Sequence, residues 1–351
     1  MSTRENGKCP RDGMGSKWIA CFFALAFVAF LSFYVAEVCE SQEKYVIRFQ
    51  HEFSATHHRA KPLKEWANLI EERSKGALKF EIYLASQLFK PAELVRAVQM
   101  GAVEAGNTYT FNIANSVPQY NIFASPFMWD TTDQMMKTVR GEIGEILNKY
   151  AEEKGIKMLG YLPYWQEAQC LVSRKPLKVP SDCKGIMVRV NDDISAKLIK
   201  LWGGGGSYMA AGELYMALQR GTLNGAFANL PTSVERKWYE VAPYSVLIPY
   251  YAVCGVPFIN KAYFYKLPKE LQQIVLDTSA ELEKKSVQLA LEHFIWGENF
   301  MKERGYKPYT PTPEERSLWE ANTAPIGESL MKDVPGGLDL LQKVRSLVKK
   351  R

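Results

Sequence analysis

Blocks with strand-like and helix-like spacing of apolar residues alternate along most of the chain. Tyr45 to Phe53, YVIRFQHEF, reads as a strand of apolar and β-branched residues that runs into the loop SATHH. KPLKEWANLIEERSKG follows as a helix, with Pro62 near its start and Gly76 just past its end, as helix boundaries prefer. ALKFEIYLA is the next strand, and PAELVRAVQMGAVEAGNTYT is a helix stopped near Gly101 and then a short strand. KGIKMLGYLPYW and GIMVRVN read as further strands, and the last third is mostly helical. This alternation predicts parallel βαβ units and an α/β fold.

One unit recurs. ELVRAVQMGAVEAGNTY begins at Glu93 and ELYMALQRGTLNGAFAN at Glu213, with Glu, Leu, Ala, Gln and Gly at the same offsets. Two copies of a helix–Gly–strand unit predict two similarly built α/β lobes. In that register Tyr109 matches Asn229, and both fall at the carboxyl end of a short strand, where open α/β sheets bind ligands. From Lys269 to Arg304 the only Gly or Pro is Gly297. A helix of that length reaches roughly 50 Å, more than one small lobe, so it is expected to cross between two, with a bend or break near Gly297.

The first 43 residues follow a different pattern. Arg4, Lys8, Arg11 and Lys17 precede WIACFFALAFVAFLSFYVAEV, an apolar run with no charge between Lys17 and Glu37. That is an export signal, either cleaved or kept as a membrane anchor, and it places the rest of the chain outside the cytoplasm. The chain as a whole, with 47% apolar and 23% charged residues, is globular in composition. The net charge of +6 is spread among acids with no basic stripe, which argues against a nucleic-acid partner. Cys170, Cys183 and Cys254 show no CxxC or metal-finger spacing; a Cys170–Cys183 bridge and three separate thiols both remain open.

No catalytic constellation emerges. HExxH and GxSxG are missing, and GGGGSY at Gly203–Tyr208 lacks the Lys-Ser/Thr of a phosphate loop and reads as a flexible turn. His51, His57 and His58 near Glu52 read as a polar loop in preference to a metal cluster. An enzyme would need a nucleophile–base pair or a metal, and neither is found, so no cofactor and no catalysis are expected. Polar residues do gather at strand ends: Glu52 after the first strand, Asn107 and Tyr109 after the third, Asn229 in the second repeat, and Trp165 and Gln166 in PYWQEA. Arg189 stands inside the apolar strand of DCKGIMVRVND. A guanidinium there requires a partner: either a structural carboxylate or the anionic group of a ligand, which it would grip in bidentate fashion.

Taken in order, GALKFEIYLASQL, ELVRAVQMGAVEAG, SPFMW, RKPLKVPSDCKGIMVRV, GELYMALQRGTLNGAF and WYEVAPY resemble the substrate-binding subunit of a tripartite ATP-independent periplasmic (TRAP) transporter, of the dicarboxylate-binding type. The resemblance runs from about Tyr45 to the C-terminus. It implies a two-lobed periplasmic-binding-protein-like fold that closes on a small organic anion (a carboxylate, sulfonate or zwitterion) and delivers it, as a monomer, to small and large permease subunits. A sensor feeding an extracytoplasmic receptor is the competing reading. The implied boundaries are 44–165 plus 254–294 for lobe I and 166–253 plus 295–351 for lobe II. The resemblance makes Arg189 the carboxylate partner and gives polar contacts to Glu52 and Tyr109. Phe53 and Trp165 would pack on the ligand's apolar body or face a cationic group.

Two departures from the family pattern stand out. Asn224 replaces the usual Asp of the second repeat, and the usual ligand-binding Asn falls on Ala228, one residue before Asn229. A second ligand-facing Arg, expected near Ala168, is missing, and Glu52 and Glu167 lie nearby in this reading. The expectation is therefore a site short of one positive charge, suited to a monoanion or zwitterion over a C4-dicarboxylate.

Overall fold

In the computed structural model, which describes residues 44–190 and 192–349, the strands sort into two sheets. The export segment lies outside the described residues. The first sheet holds β1 (Tyr45–His51), β2 (Leu78–Tyr83), β3 (Ala105–Tyr109), β4 (Ile156–Met158) and β5 (Leu162–Pro163). The second holds β6 (Gln169–Ser173), β7 (Met187–Val190), β8 (Gly205–Tyr208), β9 (Gly225–Asn229) and β10 (Tyr244–Leu247). The chain then returns, and β11 (Cys254–Asn260) completes the first sheet in the order β2-β1-β3-β11-β4, with β5 also on β11. β1 is parallel to β2 and β3, as the βαβ pattern predicts, whereas β11 is antiparallel to β3. The second sheet runs β10-β6-β9-β7-β8, with β7 parallel to β8 and β9 and β6 antiparallel to β9 and β10.

The helices follow the apolar periodicity. α1 (Ala60–Arg73) buries Leu63, Trp66, Ala67 and Ile70, an i, i+3, i+4, i+7 stripe, under the first sheet. The two repeats become α2 (Pro91–Gln99) leading into β3, and α3 (Leu214–Arg220) leading into β9. Tyr109 and Asn229 each end their strand and sit at the N-cap of the following helix, which after Asn229 is α4 (Leu230–Glu235).

α5 (Lys269–Glu303) runs 35 residues without a break. Near its start Trp66 Nε1 donates to Ser279 Oγ (3.2 Å) and Arg73 pairs with Glu281 at 2.7 Å, so this half lies on the first lobe. The other half packs on α4. Gly297 is the contact point and not a break: a Cβ there would lie 3.2 Å from Pro231 Cα, closer than two packed helices allow without moving apart. Crowding, rather than flexibility, explains this glycine. The GGGGSY segment also differs from a flexible turn, because Gly205–Tyr208 forms β8 beside β7. A Cβ on Gly206 would meet Val190 Cγ1 at 2.9 Å, so the glycines let this edge strand sit close to the side chains of β7.

Each sheet is covered on both faces. Leu171 and Phe227 of the second sheet pack with Ile194, Leu198 and Trp319, while Cys170, Val172 and Ala226 pack with Leu214, Leu218 and Met301. No apolar face is left there for the last helix, α6 (Gly337–Lys349). Its Leu340, Leu341 and Val344 instead join Val139, Ile143 and Leu147 in the core of the first lobe. The C-terminal end of the chain thus departs from the boundary expected for lobe II. Cys170, Cys183 and Cys254 are buried free thiols. Among the described residues no helix is long and apolar enough to cross a membrane.

Candidate functional site

The carboxyl ends of β1, β3, β7 and β9 converge on a cavity of about 500 Å³ between the two sheets. That is within the roughly 300–1,000 Å³ of small-molecule sites. Glu52, His57, Tyr109, Phe111 and Tyr164 line it from the first lobe; Gln169, Arg189, Asp192, Asn229, Arg236 and Tyr251 are among those lining it from the second.

Arg189 is carried by β7, whose Val188 and Val190 point into the core while the guanidinium points the other way, into the cavity. Its Nε donates to the Met209 carbonyl at 3.0 Å. Among the described residues it has no carboxylate partner. Burial disfavours its charge, and Arg236 disfavours it further; Tyr250, Tyr251 and Asp192 act the other way. Arg236 caps the end of α4 and reaches the same cavity without an ion pair among the described residues.

The nearest acid on this wall is committed elsewhere. Asp192 caps the helix Asp193–Leu201, with Oδ1 accepting from the backbone of Ile194 (3.0 Å) and Ser195 (2.8 Å), and its Oδ2 accepts from the Tyr251 hydroxyl.

Both walls carry unsatisfied polarity. Glu52 follows β1 directly; its Oε1 is buried without a hydrogen-bond partner, and burial pushes its carboxyl up to about 7. Such a carboxyl is half-protonated near neutrality, so it offers both a donor and acceptors. Asn229, at the end of β9, leaves its Nδ2 buried and unpaired. The Tyr109 hydroxyl meets that of Tyr164 at 2.5 Å, and the Arg59 guanidinium lies 3.5 Å over the Tyr164 ring while donating to the Pro163 carbonyl at 3.1 Å. Burial keeps His57 neutral, its pKa pushed down to about 4. Orphaned polar atoms are costly in a folded protein and mark where a ligand's groups belong.

The structure therefore brings together Arg189, Glu52, Tyr109 and Asn229 of the residues singled out from sequence. It does not bring the other four to the cavity. Phe53 stacks on His57 (4.7 Å) and edges Tyr109, behind the wall. Asn107 is on the same face of β3 as Tyr109 but one pleat deeper, buried beside Gly255 and Leu162. Trp165 stacks on Phe294 of α5, and Gln166 is buried, its Oε1 accepting from Gln169.

Glu167 also turns away, its carboxylate accepting from Thr132 Oγ1 at 2.8 Å. The site is consequently not short of a cation: Arg236 brings a second guanidinium from another segment, and Gln169, not an arginine, occupies the start of β6. Gln169 is held by donating to Gln166 and to the Tyr251 carbonyl. Asn224 plays a structural part, its Oδ1 accepting from the backbone of Met187 at 2.8 Å.

The profile of bacterial extracellular solute-binding proteins, family 7, matches residues 49–333. The 2,3-diketo-L-gulonate-binding periplasmic protein of Escherichia coli (strain K12) is 29% identical over 304 residues, covering 85% of this chain and 90% of that one. The C4-dicarboxylate-binding periplasmic protein of Rhodobacter capsulatus is 27% identical over 299 residues, covering 83% and 88%. A TRAP periplasmic solute-binding protein from Chromohalobacter salexigens, solved with bound D-glucuronate, superposes with a TM-score of 0.77 at 24% identity over 86% of this chain and 99% of its own. It shares the two-lobed fold.

Proposed function

Because the chain belongs to the bacterial extracellular solute-binding proteins of family 7, we propose that the cavity between its lobes captures a hydroxylated monocarboxylate of the sugar-acid class and hands it to a TRAP-type permease of a small and a large membrane subunit. The observation that carries this reading is Arg189, a half-buried guanidinium facing the cavity with no carboxylate partner among the described residues. An incoming carboxylate compensates that charge in a desolvated, bidentate pair. Glu52 Oε1 and Asn229 Nδ2, an acceptor and a donor on the walls around it, suit a body bearing hydroxyls. Tyr109 and Phe111, stacked at 5.2 Å, supply an aromatic surface for a sugar face. The relatives named for diketogulonate and glucuronate support this choice of class.

In this reading residues 1–43 export the chain and are then cleaved or kept as an anchor, and the protein acts outside the cytoplasm as a monomer without catalysis. The lobes are 44–165 with 254–294 and 166–253 with the segment after 295, the last helix returning to lobe I. Closure bends the crossings between them and presents a joint surface to the permease.

Arg236 favours a second reading, in which two guanidiniums take the two ends of a C4-dicarboxylate. Calorimetric titration with D-glucuronate, 2,3-diketo-L-gulonate, succinate and malate separates the two. Binding of either sugar acid well above that of both dicarboxylates supports the proposal. Tight succinate or malate binding with no response to sugar acids overturns it in favour of the dicarboxylate.

A further inference from the structure

Outside the ligand cavity, one side-chain cluster joins three segments that are far apart in sequence. His58 comes from the loop after β1, Glu235 from the last turn of α4, and His293 from α5. His58 Nδ1 lies 3.4 Å from Glu235 Oε1, and His293 Nε2 lies 3.1 Å from the same oxygen. All three ligand-capable atoms fall within 4.8 Å of one another, the sole such group of three among the described residues.

The spacing is informative. Ligand atoms about 2.0–2.1 Å from a tetrahedral zinc stand about 3.3 Å apart. Two of the three separations are close to that value, and the third, between the two imidazole nitrogens, is no more than 4.8 Å. The rings are held for this by stacking: His58 lies 4.4 Å from His57 and 4.1 Å from His293, which stacks at 9° on Trp296. The three side chains are partly exposed, so an ion has access.

We propose that His58, His293 and Glu235 form a divalent transition-metal site, with Zn²⁺ the best-matched ion and water completing its coordination. Two imidazoles and one carboxylate suit zinc, nickel or copper and not magnesium or calcium, which take oxygen ligands. The ion clasps the loop after β1, on the first lobe, to α4 on the second, with α5 as the common strut. Each of its lobe ligands is followed or preceded directly by a cavity residue, His57 beside His58 and Arg236 beside Glu235. A bound ion therefore fixes the two walls of the cavity relative to each other.

The test uses the untagged full chain, stripped of metal, and Zn²⁺ alone in a buffer that does not chelate it. One Zn²⁺ per chain is expected by calorimetry, with affinity at least tenfold weaker in both His58→Gln and His293→Gln, while the metal-free melting temperatures of the variants stay at the wild-type value. Co²⁺ in the wild type should give ligand-field bands of a nitrogen/oxygen site with no thiolate charge-transfer band. No binding, binding unchanged in both variants, or a thiolate band that puts the ion on the cysteines overturns the proposal. If His58→Gln or His293→Gln unfolds without metal, Glu235→Gln takes its place, and unchanged affinity there is equally fatal.

Discussion

Glu52 makes the site testable without knowing its ligand. Burial raises its carboxyl from 4.5 to about 7. The unfolded chain releases this proton near pH 4.5, whereas the folded chain keeps it until about pH 7. Over that interval the folded state binds more protons, so stability falls as pH rises. The stabilisation relative to an ionised Glu52 is complete below the unfolded value and is lost once pH has passed through the folded one. At about 1.4 kcal/mol per pH unit, the total is on the order of 3 kcal/mol, a large share of the roughly 5–15 kcal/mol that holds a domain together. Glu52→Gln preserves shape but cannot ionise. The assay is urea unfolding of ligand-free wild type and variant at intervals from about pH 4 to about pH 8. All other titrating groups are common to both proteins, so the difference curve isolates Glu52. It should be flat below about pH 4.5, rise in favour of the variant by ~3 kcal/mol, and flatten again above about pH 7. Parallel stability curves across the range would refute the account of a buried, unpartnered carboxyl.

Arg189→Ala should leave the fold intact and weaken sugar-acid binding by two orders of magnitude or more, on the scale of roughly 3 kcal/mol for a lost buried charge contact; calorimetry at unchanged affinity would remove Arg189 from the site. Arg236→Gln should cost about tenfold for a monocarboxylate and about a hundredfold or more for a dicarboxylate, because only the latter needs a second cation in direct contact; equal losses for both ligands would contradict that. Asn229→Ala should lower affinity by about tenfold with little change in melting temperature, since its Nδ2 has no partner to lose in the free protein. Gly297→Leu should destabilise the protein by about 1–3 kcal/mol through overpacking on Pro231, read as a lower melting temperature.

What the sequence disclosed depended on whether local pattern determined the outcome. β1, α1 and the two helix–strand repeats were legible because their apolar spacing is nearly uninterrupted, and the shared offset of Tyr109 and Asn229 located two walls of the cavity. Arg189 was legible because a charge inside an apolar strand has to be explained. Arg236 was not. In SVERKWYE it sits among charged residues that read as a solvated helix end, and only the placement of α4 directly after β9, at the cavity, turns it inward. Gln169 likewise gains its place from the pairing of β6 with β9, where it faces Asn229. The sequence misplaced Trp165 and Gln166 because Gln166–Ala168 is a short 3₁₀ turn, where neither the period of a strand nor that of a helix sets side-chain direction. Asn107 shows the limit of strand alternation: it shares a face with Tyr109, yet depth along that face decides which of the two reaches the cavity.

The return of the chain to its first sheet fixes when that lobe can fold. Tyr109 pairs with Gly255 in β11, and Val344 fills the same core as Val139. During synthesis β3 is therefore left with an unpaired edge until the whole second lobe has emerged, and the core beneath Val139 stays open until the last helix is made. The strands of the second sheet, β6 to β10, are contiguous in sequence, yet that lobe also waits on later residues, because Met301 and Trp319 fill its cores and the backbone of Tyr309 bonds to Ser245 and Leu247 in β10. Long-range closure of this kind is slow. A nascent chain of this design cannot close its first lobe before Val344 has emerged, so it stays open to threading until that point in its synthesis.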